Sequence, residues 1–218
     1  MNSTEAVRES AREEIAHLVR QDVVEEVDDV IHGATFDGRR LVLAAGERLA
    51  RLIPDSGRVV DQLETFPDRG GLAYSERCLW QHSEGRLQQL DQRTGFVLRT
   101  IAPRLGEIRG LECVGDDVLV LHSAGGALSR VETLDATSVA SVETGAPLRG
   151  LAWVGRELWS STADELCRID PSSGRVVARF TLPADVEVCD LAGDAEGRIW
   201  CVDGRSKILR ALRKPRTG

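Results

Sequence analysis

The chain has 218 residues, of which 42% are hydrophobic and 29% are charged, and its net charge at pH 7 is −7. These values are ordinary for a soluble globular protein of one domain or at most two. The acidic balance argues against nucleic-acid binding, which usually needs a basic surface, and no apolar run approaches membrane-spanning length.

The N-terminal segment is predicted to be helical. Its first residues, MNSTEAVRESAREE, are charged and lack the apolar stretch of a secretory signal. Within residues 4–20, the apolar residues recur at roughly helical spacing: Ala6, Val7, Ala11, Ile15, Leu18 and Val19. We therefore predict one amphipathic α-helix within residues 1–21. It would pack on the rest of the domain or, alternatively, dock a partner or a second copy and so form a homodimer.

An internal repeat runs through the rest of the chain. Four segments align well and a fifth, beginning at Cys189, is more divergent. The equivalent position recurs after 38, 39, 40 and 40 residues, and it is occupied by Gly33, Gly71, Gly110, Gly150 and Asp190. So regular a spacing indicates five copies of one supersecondary unit.

Each unit has the pattern of four short strands. An apolar strand, a polar turn, a strand built on Leu-Trp or Leu-Val, and a third strand with apolar residues three apart follow in order. A turn such as Asp170–Gly174 then precedes a β-branched fourth strand. No unit contains a helix-length segment, so the chain is predicted to be all-β, a five-bladed β-propeller. The predicted blades cover residues 29–66, 67–104, 105–145, 146–184 and 185–212.

The fifth unit lacks its fourth strand, because the chain ends soon after Leu212. Residues 22–28 (DVVEEVD) resemble residues 58–64 (RVVDQLE), which form the fourth strand of the first unit. Residues 22–28 are therefore predicted to complete the last blade. Such a strand joins both chain ends in one sheet and removes the open edge of a linear array.

Blade topology assigns the unusual residues to one face. In an antiparallel blade, the loops entering the first strand and those between the second and third strands lie on the same side. The residues there are His32, Arg69, Arg109, Arg149 and Cys189 before the first strands, and His82, His122, Thr162 and Asp203 after the second strands. Propellers generally bind ligands where the central channel opens, so by analogy of fold this is the predicted ligand face.

Two arginines near a channel mouth suit an anionic ligand, since a guanidinium binds carboxylate or phosphate in bidentate fashion. Alternatively, Arg109 and Arg149 pair with neighbouring acids such as Glu107, Glu112 or Glu187. The residue types alone leave both interpretations open.

Metal or cofactor binding is not predicted. The sequence contains no HxH, HExxH or CxxC spacing, and equivalent positions on the second strands of neighbouring blades are about 10 Å apart or more. Cys189 beside His32 would give a thiolate nucleophile only with a third, orienting residue, and none is identifiable. The odd number of cysteines favours reduced thiols and a cytoplasmic location: Cys78, Cys113, Cys167, Cys189 and Cys201.

Three tryptophans, Trp80, Trp159 and Trp200, occupy equivalent strand positions and are predicted to pack between blades. Trp153 lies one strand inward, where it would line the channel or join the core.

The repeat Gly-Leu-Ala…Gly…Leu-Trp…Leu-x-x-Ile-Asp-Pro-x-Ser-Gly-Arg-Val, clearest in residues 149–177, resembles that of the quinoprotein, streptogramin lyase, gluconolactonase and glutamine cyclotransferase-like propellers. The resemblance spans residues 22–212 and implies the fold. Where glutamine cyclotransferases have a glutamine-glycine-leucine segment, this chain has His32-Gly33-Ala34, so that activity is not implied.

Two functions are compatible with these observations. The first is a propeller that binds a small anionic molecule at the predicted face and acts as a lyase, cyclase or hydrolase. The second is a non-catalytic scaffold that binds another macromolecule, with the N-terminal helix as its attachment point. An enzyme needs a concave pocket with perturbed titrating groups, and a scaffold needs a broad exposed patch.

Overall fold

Twenty β-strands make up the part of the chain that this computed structural model describes. That part runs from residue 16 to residue 215, except for residues 25, 26, 28, 66, 68–70, 76–77, 116, 123–125, 136–137, 185 and 204. It contains no helix that is long and apolar enough to cross a bilayer.

The strands form five antiparallel sheets of four strands, which confirms the five-bladed propeller. Blade 1 has β2 (Ile31–Phe36), β3 (Leu41–Ala45), β4 (Arg48–Leu52) and β5 (Val59–Glu64). Blade 2 has β6 (Leu72–Tyr74), β7 (Leu79–Ser83), β8 (Arg86–Leu90) and β9 (Val97–Ile101). Blade 3 has β10 (Ile108–Val114), β11 (Asp117–His122), β12 (Ala127–Val131) and β13 (Ser138–Glu143). Blade 4 has β14 (Arg149–Val154), β15 (Glu157–Ser161), β16 (Glu165–Ile169) and β17 (Val176–Thr181). Blade 5 has β18 (Asp190–Gly193), β19 (Arg198–Val202), β20 (Ile208–Arg213) and, outermost, β1 (His17–Val23).

The predicted ring closure is confirmed, but the closing strand begins five residues earlier than expected. β1 pairs antiparallel with β20, from His17 opposite Arg213 to Val23 opposite Ile208. The repeat alignment set residues 22–28 at this place, and only residues 22 and 23 belong to the strand. Val24 and Val27 are instead buried in the connection between blades 5 and 1. Val24 and Val27 therefore lie in a linker, although their spacing resembles that of an outer strand.

The helix prediction is wrong for residues 17–20, which lie in β1, and its remaining part, residues 1–15, lies outside the described residues. His17, Leu18 and Arg20 pair with β20, with a bulge between Leu18 and Arg20, and Ala16 donates its N–H to the carbonyl of Thr181 in blade 4. Hydrogen bonding to the edge strand β20 outweighs a weak local helical periodicity.

Strand direction defines two faces. We call the face with the starts of the first strands and the turns between second and third strands the upper face. The turns between first and second strands, and between third and fourth strands, lie on the lower face. The first strands β2, β6, β10, β14 and β18 contact one another around the axis, as expected for the innermost strand of each blade.

The core lies between the blades. Trp80 packs with Ile108 and Leu111 of the next blade, and Trp159 packs with Leu191 and Ile199. Trp200 closes the ring by packing against Ile31 and Ala34 of blade 1. All three indoles are buried, which confirms the predicted role. Trp153 is half-buried and packs on the apolar cluster of blades 3 and 4.

The glycines of the repeat leave room for the neighbouring backbone at the axis. A Cβ at Gly110 would lie 2.9 Å from the carbonyl carbon of Gly150, and a Cβ at Gly71 would lie 2.9 Å from the nitrogen of Leu111. Gly150 is the most constrained, because its φ is +62° and its Cβ would lie 2.7 Å from the Cα of Asp190. The repeat therefore keeps glycine at this position because the blades touch backbone to backbone there.

We predict that Gly150→Ala lowers the free energy of unfolding by about 3 kcal/mol, because the added methyl group meets immovable backbone in addition to the strain of a positive φ. Gly155→Ala is the matched control in the same blade: its φ is +64° and nothing lies within 4 Å of its Cβ. This variant should lose only about 1 kcal/mol. Urea denaturation of both variants measures the difference, and equal losses would refute the backbone contact.

Candidate functional site

The residue before the repeat glycine lies at a β-bulge. In blade 1, Ile31 pairs with Ala45 and Gly33 with Ala44, so His32 is the extra residue. Arg109 has the same place in blade 3, and Arg149 starts the irregular stretch of blade 4. Bulges bend a strand and re-aim a side chain, and they are frequent beside binding sites. These bulges therefore explain how the predicted side chains are directed towards the upper face.

The bulge of blade 4 is held by two buried hydroxyl groups. Ser160 donates to the carbonyl oxygens of Arg149 (3.0 Å) and Gly150 (2.7 Å), and Ser161 donates to the carbonyl of Arg149 (3.1 Å). Both serines are fully buried in β15. Hydrogen bonds from the neighbouring strand β15 therefore fix the backbone at Arg149.

The two arginines of the predicted site pair with acids, as the alternative interpretation allowed. Arg109 lies 3.3 Å from Glu107 and Arg149 lies 3.7 Å from Glu187. The exposed fractions of the two arginine side chains are 35% and 37%. Ion pairs of this exposure and length contribute about 0–1 kcal/mol. Both guanidinium groups are thus only loosely held.

Glu187 is shared between two arginines. Its second carboxylate oxygen lies 2.8 Å from Arg205, closer than its contact with Arg149. Three arginines therefore share two acids in these ion pairs, Glu107 being the other acid. Asp203, two residues before Arg205 in the same turn, is a third acid on this face.

Two of the predicted histidines, His32 and His82, are less accessible than the arginines. His32 is buried, with its Nε2 atom 3.4 Å from the carbonyl oxygen of Gly46, and His82 is buried in β7. His122 ends β11, where its backbone pairs with Ile108 and Ala127. These positions identify a shared face, and the role of each imidazole in binding remains a prediction.

The other predicted site residues divide into three groups. Asp203 holds its own turn, accepting from the N–H of Arg205 (3.0 Å) and from the hydroxyl of Ser206 (3.1 Å). Thr162 likewise bonds within its turn, to Asp164. Cys189 is half-buried and packs against the apolar cluster between blades 5 and 1. Arg69 lies outside the described residues.

A buried carboxyl group lies at the axis below this ring. Asp190 occupies the glycine position of blade 5, and its Oδ2 accepts the N–H of Ala34 at 2.9 Å. The N–H groups of Leu72 and Leu191 also bond to this carboxyl group. Its oxygens lie 3.6 Å and 3.4 Å from the positions that a Cβ would take at Gly33 and Gly71. One side chain therefore fills the space that the glycines leave.

Burial raises the pKa of Asp190 well above its ordinary value, and the negative charge of Glu112 raises it further, against the hydrogen bonds from Ala34, Leu191 and Leu72. The Oδ1 atom has no hydrogen-bond partner among the described residues. Burial therefore opposes ionisation of this carboxyl group, and the backbone N–H groups that it accepts favour ionisation.

Glu112 is a second acid with a raised pKa, and it is half-buried on β10, the first strand of blade 3. Its Oε1 accepts the N–H of Cys113 (2.8 Å) and its Oε2 accepts the N–H of Trp153 (3.0 Å). Burial raises its pKa to about 7, with these two hydrogen bonds opposing the rise. The alternative that Arg109 or Arg149 pairs with Glu112 is therefore wrong. Among the described residues, these arginines pair with Glu107 and Glu187.

Both acids serve the same backbone need. The inner edge of each first strand faces the axis and has no neighbouring strand to accept its N–H groups. Asp190 and Glu112 supply acceptors from side chains. Sequence reasoning missed this role, although the signal was present: Asp190 is the one residue of the repeat position that is not glycine, and Glu112 is an acid between the apolar residues Leu111 and Cys113.

The described residues contain no group of three or more His, Cys, Asp or Glu side chains that would hold a metal ion. The five cysteines are free thiols. Burial raises the pKa of Cys167 to about 11 and that of Cys201 to about 12, and it raises the pKa of Cys113 further. These three thiols stay protonated at neutral pH and do not act as nucleophiles.

A cavity of about 240 Å³ opens beside His32, between the linker that leads into blade 1 and the turn after β3. Its floor is apolar, with Val27 and Ala45, and its rim carries Asp29, Glu47 and Arg48. Two acids against one arginine make this cavity a poor site for an anion. An anionic ligand would be bound better by Arg109, Arg149 and Arg205.

We predict that Glu112 makes the protein less stable as the pH rises. Its pKa is about 7 in the folded chain against 4.5 for an ordinary glutamate, so the folded state holds the proton more tightly. The resulting stabilisation is complete below the unfolded pKa and is lost as the pH rises through the folded one. Between about pH 5 and about pH 8, the wild type should lose roughly 2–3 kcal/mol more than Glu112→Gln. Urea denaturation at both pH values measures this, with the exposed Glu47→Gln as control; identical pH profiles for Glu112→Gln and the wild type would contradict it.

Comparison with known proteins gives a likeness of fold. No protein-family model and no curated protein sequence matches the chain. Among solved structures, glutaminyl cyclase of Myxococcus xanthus superposes with a TM-score of 0.74 at 19% identity, covering 91% of this chain and 96% of the cyclase. The propeller domain of Myceliophteria thermophila Cps50 (Swd1) gives 0.57 at 9% identity, covering 92% and 100%. Hydrazine synthase of Kuenenia stuttgartiensis gives 0.51 at 16% identity, covering 81% and 57%.

Identities this low carry the fold and no activity. The propeller fold that the resemblance of the repeat implied is confirmed. The chain is a five-bladed propeller whose architecture resembles that of a glutaminyl cyclase.

Proposed function

We propose that the protein binds a small anionic molecule at the upper mouth of the propeller, through Arg109, Arg149 and Arg205. One observation carries the proposal: two bulge-borne arginines of consecutive blades are each only loosely paired, and a third arginine shares one of their acids. A carboxylate or phosphate that bonds in bidentate fashion replaces such weak pairs at little cost.

The filled axis favours a ligand that binds at the upper mouth of the propeller and does not enter the channel. Asp190 is almost fully buried and fills the space among the repeat glycines, so a molecule bound above it would meet a closed floor. The raised pKa of Asp190 disfavours a negative charge beneath the ligand, which suits an anion better than a carboxyl group with an ordinary pKa would.

Binding has more support than catalysis. The neighbouring fold belongs to a glutaminyl cyclase, and a cyclase, lyase or hydrolase reaction remains an extension of the proposal. Such a reaction needs an acid or base within reach of the substrate. Asp190 and Glu112 have the raised pKa values expected of one, but Asp190 is buried, Glu112 is half-buried and both accept backbone N–H groups. We therefore propose a ligand-binding propeller of the cytoplasm.

The proposal predicts that Arg149→Ala and Arg109→Ala each weaken anion binding about tenfold or more, because each removes charged hydrogen bonds to the ligand. The probes are inorganic phosphate, pyrophosphate and citrate, measured by isothermal titration calorimetry and by the ligand-dependent rise of Tm. Arg156→Ala is the matched control, since Arg156 is an exposed arginine of the same blade at the turn between β14 and β15, on the lower face.

Retained affinity in Arg149→Ala and Arg109→Ala for a probe that binds the wild type would remove the arginines from the site. An equal loss in Arg156→Ala would mean that the probes respond to total charge. No binding of any probe by the wild type would overturn the proposal for these anions.

A further inference from the structure

Glu187 lies between two of the arginines assigned to the anion site. One of its carboxylate oxygens lies 3.7 Å from Nη1 of Arg149 in blade 4, and the other lies 2.8 Å from Nη1 of Arg205 in blade 5. Two guanidinium groups from two blades therefore contact a single carboxylate. A bound carboxylate or phosphate would make the same kind of contacts with these arginines.

The packing of its loop holds Glu187 at this place. Its two neighbours in the chain, Val186 and Val188, are buried in the apolar cluster between blades 4 and 5. The next residue, Cys189, donates its backbone N–H to the carbonyl of Val202 at 2.8 Å. Because the backbone is anchored on both sides of Glu187, its carboxylate is kept within reach of the two arginines.

The backbone at both arginines is also held. The carbonyl of Arg149 accepts hydrogen bonds from Ser160 and Ser161, and the N–H of Arg205 donates to Asp203 at 3.0 Å. Three anchored segments thus bring the two guanidinium groups and the carboxylate together. This arrangement makes Glu187 a part of the site.

The other acids of this face do not have this position. Among the described residues, Glu107 forms an ion pair with Arg109 alone, and 69% of its side chain is exposed. Asp203 accepts the N–H of Arg205 within its own turn. Glu187, of which 39% is exposed, is the acid that bridges two arginines of the site.

We propose that Glu187 is a built-in competitor for the anion site. Its carboxylate takes the place of the ligand's anionic group, and the ligand must displace it from Arg149 and Arg205. A group tethered in this way acts at an effective concentration on the order of millimolar. Glu187 therefore sets the ligand concentration at which the site fills. This inference rests on the proposed function, because it concerns the regulation of the same site.

Glu187→Gln tests the competitor, since glutamine keeps the size of the side chain and removes its charge. We expect the Kd for pyrophosphate, measured by isothermal titration calorimetry, to fall about fivefold. The ligand then displaces no ion pair from Arg149 or Arg205 and meets no negative charge between them. The rise of Tm at a fixed pyrophosphate concentration should be larger than in the wild type.

Glu47→Gln is the matched control. Glu47 is an exposed acid on the same face, in the turn between β3 and β4 of blade 1. Its substitution changes the net charge by the same amount and should change the Kd less than twofold. Circular dichroism checks that both variants are folded.

The outcomes separate the competitor from the site itself. If Arg149→Ala weakens pyrophosphate binding but Glu187→Gln leaves it unchanged or also weakens it, the anion site stands and the competitor is refuted. An equal gain in Glu47→Gln would refute the competitor as well, because net charge would then explain the change. If neither the wild type nor Glu187→Gln binds pyrophosphate, the site falls and the competitor with it.

Discussion

The buried carboxyl group of Asp190 is the interaction on which the rest of the molecule depends. The first strands of five blades meet at the axis, and their inner edges present N–H groups that no further strand can accept. Asp190 extends from blade 5 and bonds to Ala34 of blade 1 and Leu72 of blade 2. It therefore joins the last blade to the first two at the axis, whereas β1 closes the ring at the outer edge of blade 5.

The glycines and the acid are two parts of one solution. Glycine at four repeat positions lets the backbones approach, and the fifth position carries the one side chain for which that approach leaves space. Because this side chain is almost fully buried, the axis below the bulges is closed by protein. Under the proposed function, a ligand on the upper face would contact the bulge residues around the mouth, which differ from blade to blade.

Much of this fold could be predicted from the sequence, and the errors have physical causes. The spacing of Gly33, Gly71, Gly110 and Gly150 requires only local counting, so the blade number was correct. The closing strand was predicted five residues too far along the chain. Val23 and Val24 match the pattern of a strand, but pairing with β20 decides which residues form it. The pairs of Arg109 and Arg149 with acids were foreseen as an alternative. The bulges and the axial acids were not, since both depend on which backbone groups lack a partner after the ring has closed.

The most direct test of the account compares the unfolding free energies of Asp190→Ala and Asp190→Asn in urea. Asparagine keeps a carbonyl oxygen in place, whereas alanine leaves the N–H groups of Ala34 and Leu72 buried without an acceptor. The account predicts that Asp190→Ala is less stable than Asp190→Asn by about 2 kcal/mol or more. An alanine variant as stable as the asparagine variant would contradict it, because the axis would then hold without any acceptor.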